Sequence, residues 1–229
     1  MPLISLSYSR LQTFEQCEAK FEKLFVERSV SQTETEQTKY GERIHEAMEN
    51  YGKAIGTDTE AAVAALESFP SEAQAYLPLV QQIAERPGDK YYELKLSFTR
   101  QMTPCEWDAP DVWLRGILDV LVVNETAAYV LDWKTGKIRD DQTQLQMFAA
   151  MVFARFPQVK RVTTAFVWLQ FNDVTIQTYV RDTAAYLWRG LEKRLERVQD
   201  AVNSGVFKAK PSALCRWCPA KHICKDARL

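Results

Sequence analysis

The 229 residues include two histidines, five cysteines and eight glycines. No stretch approaches the run of about 18 apolar residues that a membrane-spanning helix needs. Met1 to Arg10 has no basic flank leading into an apolar run, so no secretory leader is expected. No charge of one sign dominates. Lys and Arg total 29 against 30 Asp and Glu, a net charge of -1, which excludes a charge-driven nucleic-acid coat but leaves room for a local basic groove. There is no Gly-x4-Gly-Lys-Ser/Thr, hence no ATP motor in this chain. No helix-turn-helix or zinc-finger signature points to sequence-specific base readout. Internal repeats and low-complexity tracts are also missing.

What remains is ordinary for a globular protein: 46% apolar and 26% charged residues. At about 150 residues per domain the length predicts a single domain over residues 1–229. It would comprise a helical part (1–88), an α/β core (89–181) and a C-terminal helix with a cysteine-bearing tail (182–229). The expected setting is the cytoplasm of a bacterial, archaeal or phage-infected cell, where clustered cysteines point to a metal before a disulfide. Charge is uneven. Glu34–Glu67 holds eight acidic residues against three basic ones, and the segment after Gly205 holds six basic residues against Asp226 alone.

Ser7 is a good N-cap for a first helix whose apolar positions are Leu11, Phe14, Cys17, Phe21, Leu24 and Phe25, which places Cys17 on the buried face. A second helix is expected over Glu36–Ala54, with more helix around Glu60–Glu67 and Ser71–Glu85 before the Pro87-Gly88 break. Strands follow at Tyr91–Arg100, Val112–Val123 and Ala127–Lys134, the last two joined at Asn124-Glu125. A helix over Asp140–Phe156 leads to a hairpin of Arg161–Phe171 and Val174–Arg181. Leu187, Leu191, Leu195, Val198 and Val202 mark a last helix. Helices, three strands, a helix and two strands predict a mixed sheet flanked by helices.

Asp132-Trp133-Lys134 ends an apolar strand, and the two-residue period puts Asp132 and Lys134 on one face with Trp133 on the other. Asp119 sits among aliphatics on the preceding strand, where a carboxylate is costly unless paired or bound to a metal. The short hairpin can bring Asp119 to Asp132, and Glu93 lies on another strand. Carboxylates with water suit Mg²⁺ or Mn²⁺, ions that polarise a phosphate and activate water. Lys134 can orient that water or offset charge on the phosphate oxygens. His45, beside the apolar ridge of the second helix, can add an imidazole and bias the site toward Mn²⁺.

Taken in order, Ser7-Tyr8-Ser9-Arg10-Leu11 with Phe14, Cys17 and Phe21, then His45, Glu93, Gly116-x-x-Asp119, Asp132-x-Lys134 and Gln144-Leu145-Gln146-Met147-Phe148, the chain resembles the RecB-like branch of the PD-(D/E)XK nuclease superfamily. The resemblance implies a restriction-endonuclease-like α/β core with an N-terminal helical lobe. It implies one or two Mg²⁺ or Mn²⁺ ions held by His45, Asp119, Asp132 and the Trp133 carbonyl. Lys134 is the implied catalytic lysine and Glu93 an auxiliary ligand or water holder. Gln144 is the helix glutamine that contacts DNA or supports the site. Phe148 stands where the family usually has tyrosine, and its hydrophobicity fits core packing.

Cys215-Arg-Trp-Cys218 and Cys224 form a tight group with Cys17 far upstream; by spacing alone, zinc could recruit His222 with the three C-terminal thiolates. One N-terminal cysteine plus Cys-x2-Cys-x5-Cys resembles the iron–sulfur subgroup of this branch, which includes the AddB nuclease domain and the CRISPR-adaptation nucleases. That implies a [4Fe–4S] cluster on Cys17, Cys215, Cys218 and Cys224, stapling the first helix to the tail. Cys105 falls outside the pattern.

Arg10, Lys208, Lys210 and Arg216 are candidate phosphate contacts, with Lys137, Arg139 and Lys221 behind them. Trp217 and Trp133 could stack on bases, with core packing the favoured reading of each. The expected activity is a metal-dependent exonuclease acting on single- or double-stranded DNA ends in recombination, repair or phage DNA processing. A nuclease trimming DNA for CRISPR adaptation is the alternative. A non-catalytic DNA-end-binding subunit is the alternative of another class. A recombination, helicase or integrase-type partner fits these roles.

Overall fold

The computed structural model describes residues 3–139 and 141–228. Helices α1 (Tyr8–Gln16), α2 (Glu18–Phe21), α3 (Glu36–Ala54), α4 (Thr59–Glu67) and α5 (Leu77–Ala84) precede strands β1 (Asp89–Phe98), β2 (Leu114–Asn124) and β3 (Ala127–Lys134). Helix α6 (Thr143–Arg155), strands β4 (Arg161–Trp168) and β5 (Asp173–Val180) and helix α7 (Ala184–Ser204) complete the order. The result is the expected α/β architecture, a five-stranded mixed sheet flanked by helices, with spatial order β1-β2-β3-β4-β5. Among the described residues no helix is long and apolar enough to cross a membrane.

Two units emerge from the internal contacts. One comprises Met1–Glu34, Ser97–Gly116 and Trp188–Leu229; the other comprises Thr35–Leu96 and Ile117–Leu187.

The second unit contains most of the sheet. Thr35 caps α3 by accepting the Thr38 N–H at 3.1 Å, and Ile44, Met48 and Tyr51 recur at helical spacing on its buried face. They pack with Val80 and Ile83 of α5 onto Val120, Val122, Trp133 and Val167 of the sheet. β2 and β3 form an antiparallel hairpin in which Val120 pairs with Leu131, and Glu125 turns the chain at φ 46°. A parallel β3–β4 pair needs a crossover, and α6 supplies it. Asp132 then pairs with Phe166 and Lys134 with Trp168. The strand expected to continue to Phe171 stops at Trp168. Leu169–Phe171 is a 3-10 turn, and Asn172 reverses the chain at φ 48°, which asparagine tolerates well. The helix expected from Asp140 begins at Thr143; Asp140 itself lies outside the described residues.

In the first unit, Ser7 caps α1 as expected, accepting the Arg10 N–H at 3.4 Å. The helix does not continue through Cys17, which is extended (φ −166°, ψ 113°) and only half-buried, in contrast to the expected core position. The cause is tertiary. Residues after α7 run along α2, where Ala19 N–H donates to the Lys208 carbonyl at 3.4 Å and Lys208 N–H to Glu18 Oε2 at 2.9 Å. The break turns the Cys17 sulfur toward this segment, where it accepts the Lys210 N–H at 3.4 Å.

Gly88, in the turn before β1, has φ +116°, and a Cβ there would run into the Val123 carbonyl. Gly88→Ala is therefore expected to cost about 1–3 kcal/mol, read as a fall of several degrees in the thermal midpoint. An unchanged midpoint would show that the turn relaxes freely.

Candidate active site

One step beyond the Val120–Leu131 pair, the Asp119 side chain takes the Trp133 N–H on its Oδ2 at 2.7 Å. The β3 backbone thereby fixes the carboxylate at the strand end. His45 Nδ1 lies 3.4 Å from the same oxygen, delivered by α3. Gly41, one turn earlier, allows the close approach of this helix, because a Cβ there would meet Thr135 Oγ1 at 3.0 Å. Glu93 joins from β1 with its backbone in the left-handed region at φ 50°, a strained conformation for glutamate of the kind that concentrates at functional sites. Ligand atoms of His45, Glu93 and Asp119 all lie within 4.8 Å of one another.

On the other side of Asp119 runs a second polar chain. Lys134 Nζ pairs with Asp132 and donates to Gln144 Oε1 at 3.1 Å. Gln144 Nε2, on the first turn of α6, donates to Asp132 Oδ1 at 3.0 Å. The ammonium also sits 4.9 Å from the Phe166 ring centroid, where a cation–π contact helps hold it. Trp133 points away into the core, 3% exposed, as the strand period requires.

Electrostatics mark the carboxylates as strained. Burial pushes the Glu93 pKa up to about 7, reinforced by the charges of Asp119 and Glu49. Burial and then Asp119 likewise raise Asp132, against the pull of Lys134. For His45, burial works against the charged imidazole, yet the hydrogen bond and charge of Asp119 prevail and leave its pKa raised. A divalent cation would offset the charge of both carboxylates and take the place of the proton on His45. The oxygen donors and one imidazole fit Mg²⁺ or Mn²⁺. They open onto a groove of about 600 Å³ whose lining includes Glu42, Glu46, Glu49 and Thr135.

The PD-(D/E)XK nuclease superfamily model matches residues 5–225. The chain belongs to that superfamily. A crystal structure from Eubacterium rectale, of a protein named "Putative exonuclease", superposes on this nuclease with a TM-score of 0.56 at 11% identity, over 98% of this chain and 90% of that one. At that identity the likeness concerns the fold. A second solved structure, named SSO0001, reaches a TM-score of 0.36 at 11% identity over 81% of this chain and 86% of its own, too loose to bear on the fold. No curated protein matches.

The nuclease superfamily implies divalent-metal-dependent hydrolysis and a DNA substrate. Among the described residues, His45, Glu93 and Asp119 form the cluster of donors at metal-binding separation, while Asp132 is engaged with Lys134 and Gln144. Phe148 is 1% exposed and packs in the core. Sequence reasoning passed over three groove glutamates. Their signal was Glu42, Glu46 and Glu49 at helical spacing around His45. It also missed Phe166, which only the parallel register places beneath Lys134.

In the first unit, Cys17, Cys215, Cys218 and Cys224 line a single pocket of about 40 Å³, with Cys105 outside it. Cys215 Sγ accepts the Ser212 N–H at 3.4 Å, and backbone donors lower its pKa. Lys208, Lys210 and Arg216 are exposed, and Arg10 is half-buried. Trp217, expected in the core, is 71% exposed, with the Arg216 guanidinium 5.1 Å from its ring centroid. The short 3-10 turn Ala213–Trp217 presents the ring outward.

Proposed function

We propose that the protein is a metal-dependent DNA exonuclease of the RecB-like branch, acting at DNA ends in recombination, repair or phage DNA processing. The observation that carries this reading is the meeting of His45, Glu93 and Asp119 within 4.8 Å on the sheet end that also bears the Lys134–Asp132–Gln144 chain. His45, Glu93 and Asp119 would hold Mg²⁺ or Mn²⁺, with Asp132 and the Trp133 carbonyl as further donors. When bound, such an ion polarises a phosphate oxygen and lowers the pKa of water. Lys134 donates from Nζ toward the attacking water and the phosphate oxygens that gain charge. Gln144 holds Lys134 and Asp132 in register, one through each end of its amide. Water adds to phosphorus, the ester P–O bond breaks, and the leaving oxygen takes a proton.

The test is digestion of end-labelled linear DNA, single- and double-stranded, with Mg²⁺ or Mn²⁺ and a closed circle as control. Degradation of the linear DNA with sparing of the circle is expected. Folded, metal-loaded protein that cleaves no substrate would sink this reading in favour of DNA-end binding alone.

The cysteine pocket, in this reading, holds a [4Fe–4S] cluster on Cys17, Cys215, Cys218 and Cys224. Four thiolates are the usual ligand set, and N–H···S bonds to Cys17 and Cys215 are of the kind that tune such clusters. Tetrahedral zinc would bring its sulfurs to about 3.8 Å of one another. Among the described residues no three cysteine sulfurs lie within 4.8 Å. Protein purified without oxygen is expected to contain iron and acid-labile sulfide in equal amounts and to show broad visible absorption. Stoichiometric zinc without iron would replace the cluster with a zinc site.

A further inference from the structure

In the first unit, the segment before α1 is pinned to β2. Leu6 N–H donates to the Trp113 carbonyl at 2.8 Å, and Arg115 N–H donates to the Leu6 carbonyl at 2.7 Å. This pairing brings the start of α1, with Arg10, beside Arg115. The Arg10 guanidinium donates from Nη1 to the Ser5 carbonyl at 2.6 Å and lies 5.1 Å from the Phe25 ring centroid. Arg115 stacks 5.0 Å from the Trp107 ring centroid, and its Nε is buried without a hydrogen-bond partner. Its paired carboxylate, Asp108, stands 3.9 Å away and is 92% exposed. Arg28, three residues beyond the Phe25 ring on which Arg10 lies, sits in the turn after the π-helical segment Glu22–Val26, with φ 56°. Among the described residues no carboxylate lies within ion-pair distance of Arg10 or Arg28.

Three guanidinium groups thus gather with one weak, solvated counter-charge among them. The Arg10 pKa is lowered by burial, then by the charges of Arg115 and Arg28. Such an arrangement is unfavourable alone and becomes favourable when an anion enters. Aromatic stacking holds two of the guanidinium planes before a ligand arrives, so little side-chain entropy remains to be lost on binding.

We propose that Arg10, Arg28 and Arg115 form a phosphate-binding site whose ligand is a backbone phosphate of the nucleic-acid substrate. The choice of nucleic acid over free phosphate rests on the nuclease reading. Arg115 Nη2, held only 3.9 Å from the solvated Asp108, and the exposed Arg28 supply the contacts. Arg10, committed in part to Ser5, supplies charge.

The experiment measures DNA binding by the metal-free full chain across a salt titration, for the wild type, Arg115→Gln and Arg28→Gln. A second arm measures thermal stabilisation by inorganic phosphate against chloride at equal ionic strength. Each variant is expected to weaken DNA binding about tenfold. Each should also reduce the salt slope by about 0.7–0.9, the loss of one phosphate contact. Arg28, being exposed, keeps the test valid if Arg115→Gln fails to fold. DNA binding with unchanged affinity and slope in the folded variants overturns the proposal and leaves the nuclease reading standing. A wild type that neither binds nor cleaves DNA sinks the nuclease reading instead. In that case phosphate stabilisation lost in the variants upholds the site with free phosphate as ligand, and no phosphate effect overturns it.

Discussion

Lys134→Met is expected to lower the rate of DNA cleavage by about 10²–10³-fold, the scale set by removing one preorganised donor to developing charge. Methionine keeps most of the apolar stem of the side chain, so the core is expected to survive, although the ammonium contact with the Phe166 ring goes with the charge. What is lost is the ammonium between Asp132 and Gln144. Gln144 retains its bond to Asp132, and the cluster of His45, Glu93 and Asp119 is untouched. DNA binding in the presence of metal should therefore change little. The two effects separate in single-turnover cleavage of end-labelled DNA at saturating Mn²⁺ and in fluorescence anisotropy with the same DNA. Cleavage at the wild-type rate would remove Lys134 from the mechanism. An equal loss of binding and cleavage would instead give it a role in holding DNA.

Mn²⁺ affinity should rise about tenfold per pH unit up to about pH 7 and level off above it, with proton release on binding. The reason is Glu93, whose pKa in the fold is about 7 against an ordinary value of 4.5. Below about 7 it carries a proton that the cation must displace. The raised pKa of His45 acts in the same direction, since an imidazole ligand must be neutral. The same shifts set metal-free stability. An acid raised by folding costs nothing below its unfolded pKa and its full penalty above its folded one. A histidine raised by folding stabilises at low pH and loses that contribution as pH rises. Both lower metal-free stability as pH climbs from about 5 to about 8, and bound metal restores it. Glu93→Gln should flatten that decline in chelator while weakening Mn²⁺ binding at least about tenfold. Calorimetry in buffers of different ionisation enthalpy counts the protons, and thermal melts follow the stability. Affinity independent of pH from 5.5 to 7.5 (roughly the range in which these groups titrate) would exclude Glu93 and His45 as ligands.

Local signals located several elements well. Helix α3 spans Glu36–Ala54 as expected, and β3 spans Ala127–Lys134 as the alternation requires. Both have strong periodicity that agrees with their surroundings. The first helix was harder to read. Its apolar spacing runs smoothly through Cys17, and only the distant segment at Lys208–Lys210 explains the break. Trp217 was misjudged for a related reason, because burial depends on whether another element covers a side chain. Residue type alone does not settle that.

The sequence by itself determined the α/β order of elements, the shared face of Asp132 and Lys134, and the separation of four cysteines from the fifth. These follow from local periods and spacing, which the backbone geometry imposes at short range. Tertiary structure alone decided that Glu93 meets His45 and Asp119, that Phe166 lies beneath Lys134, and that Arg10 and Arg115 stand together. Each of these pairings joins residues distant along the chain. Strand register, the crossover through α6 and the pinning of Leu6 to β2 bring them into contact, and no local propensity encodes those long-range pairings.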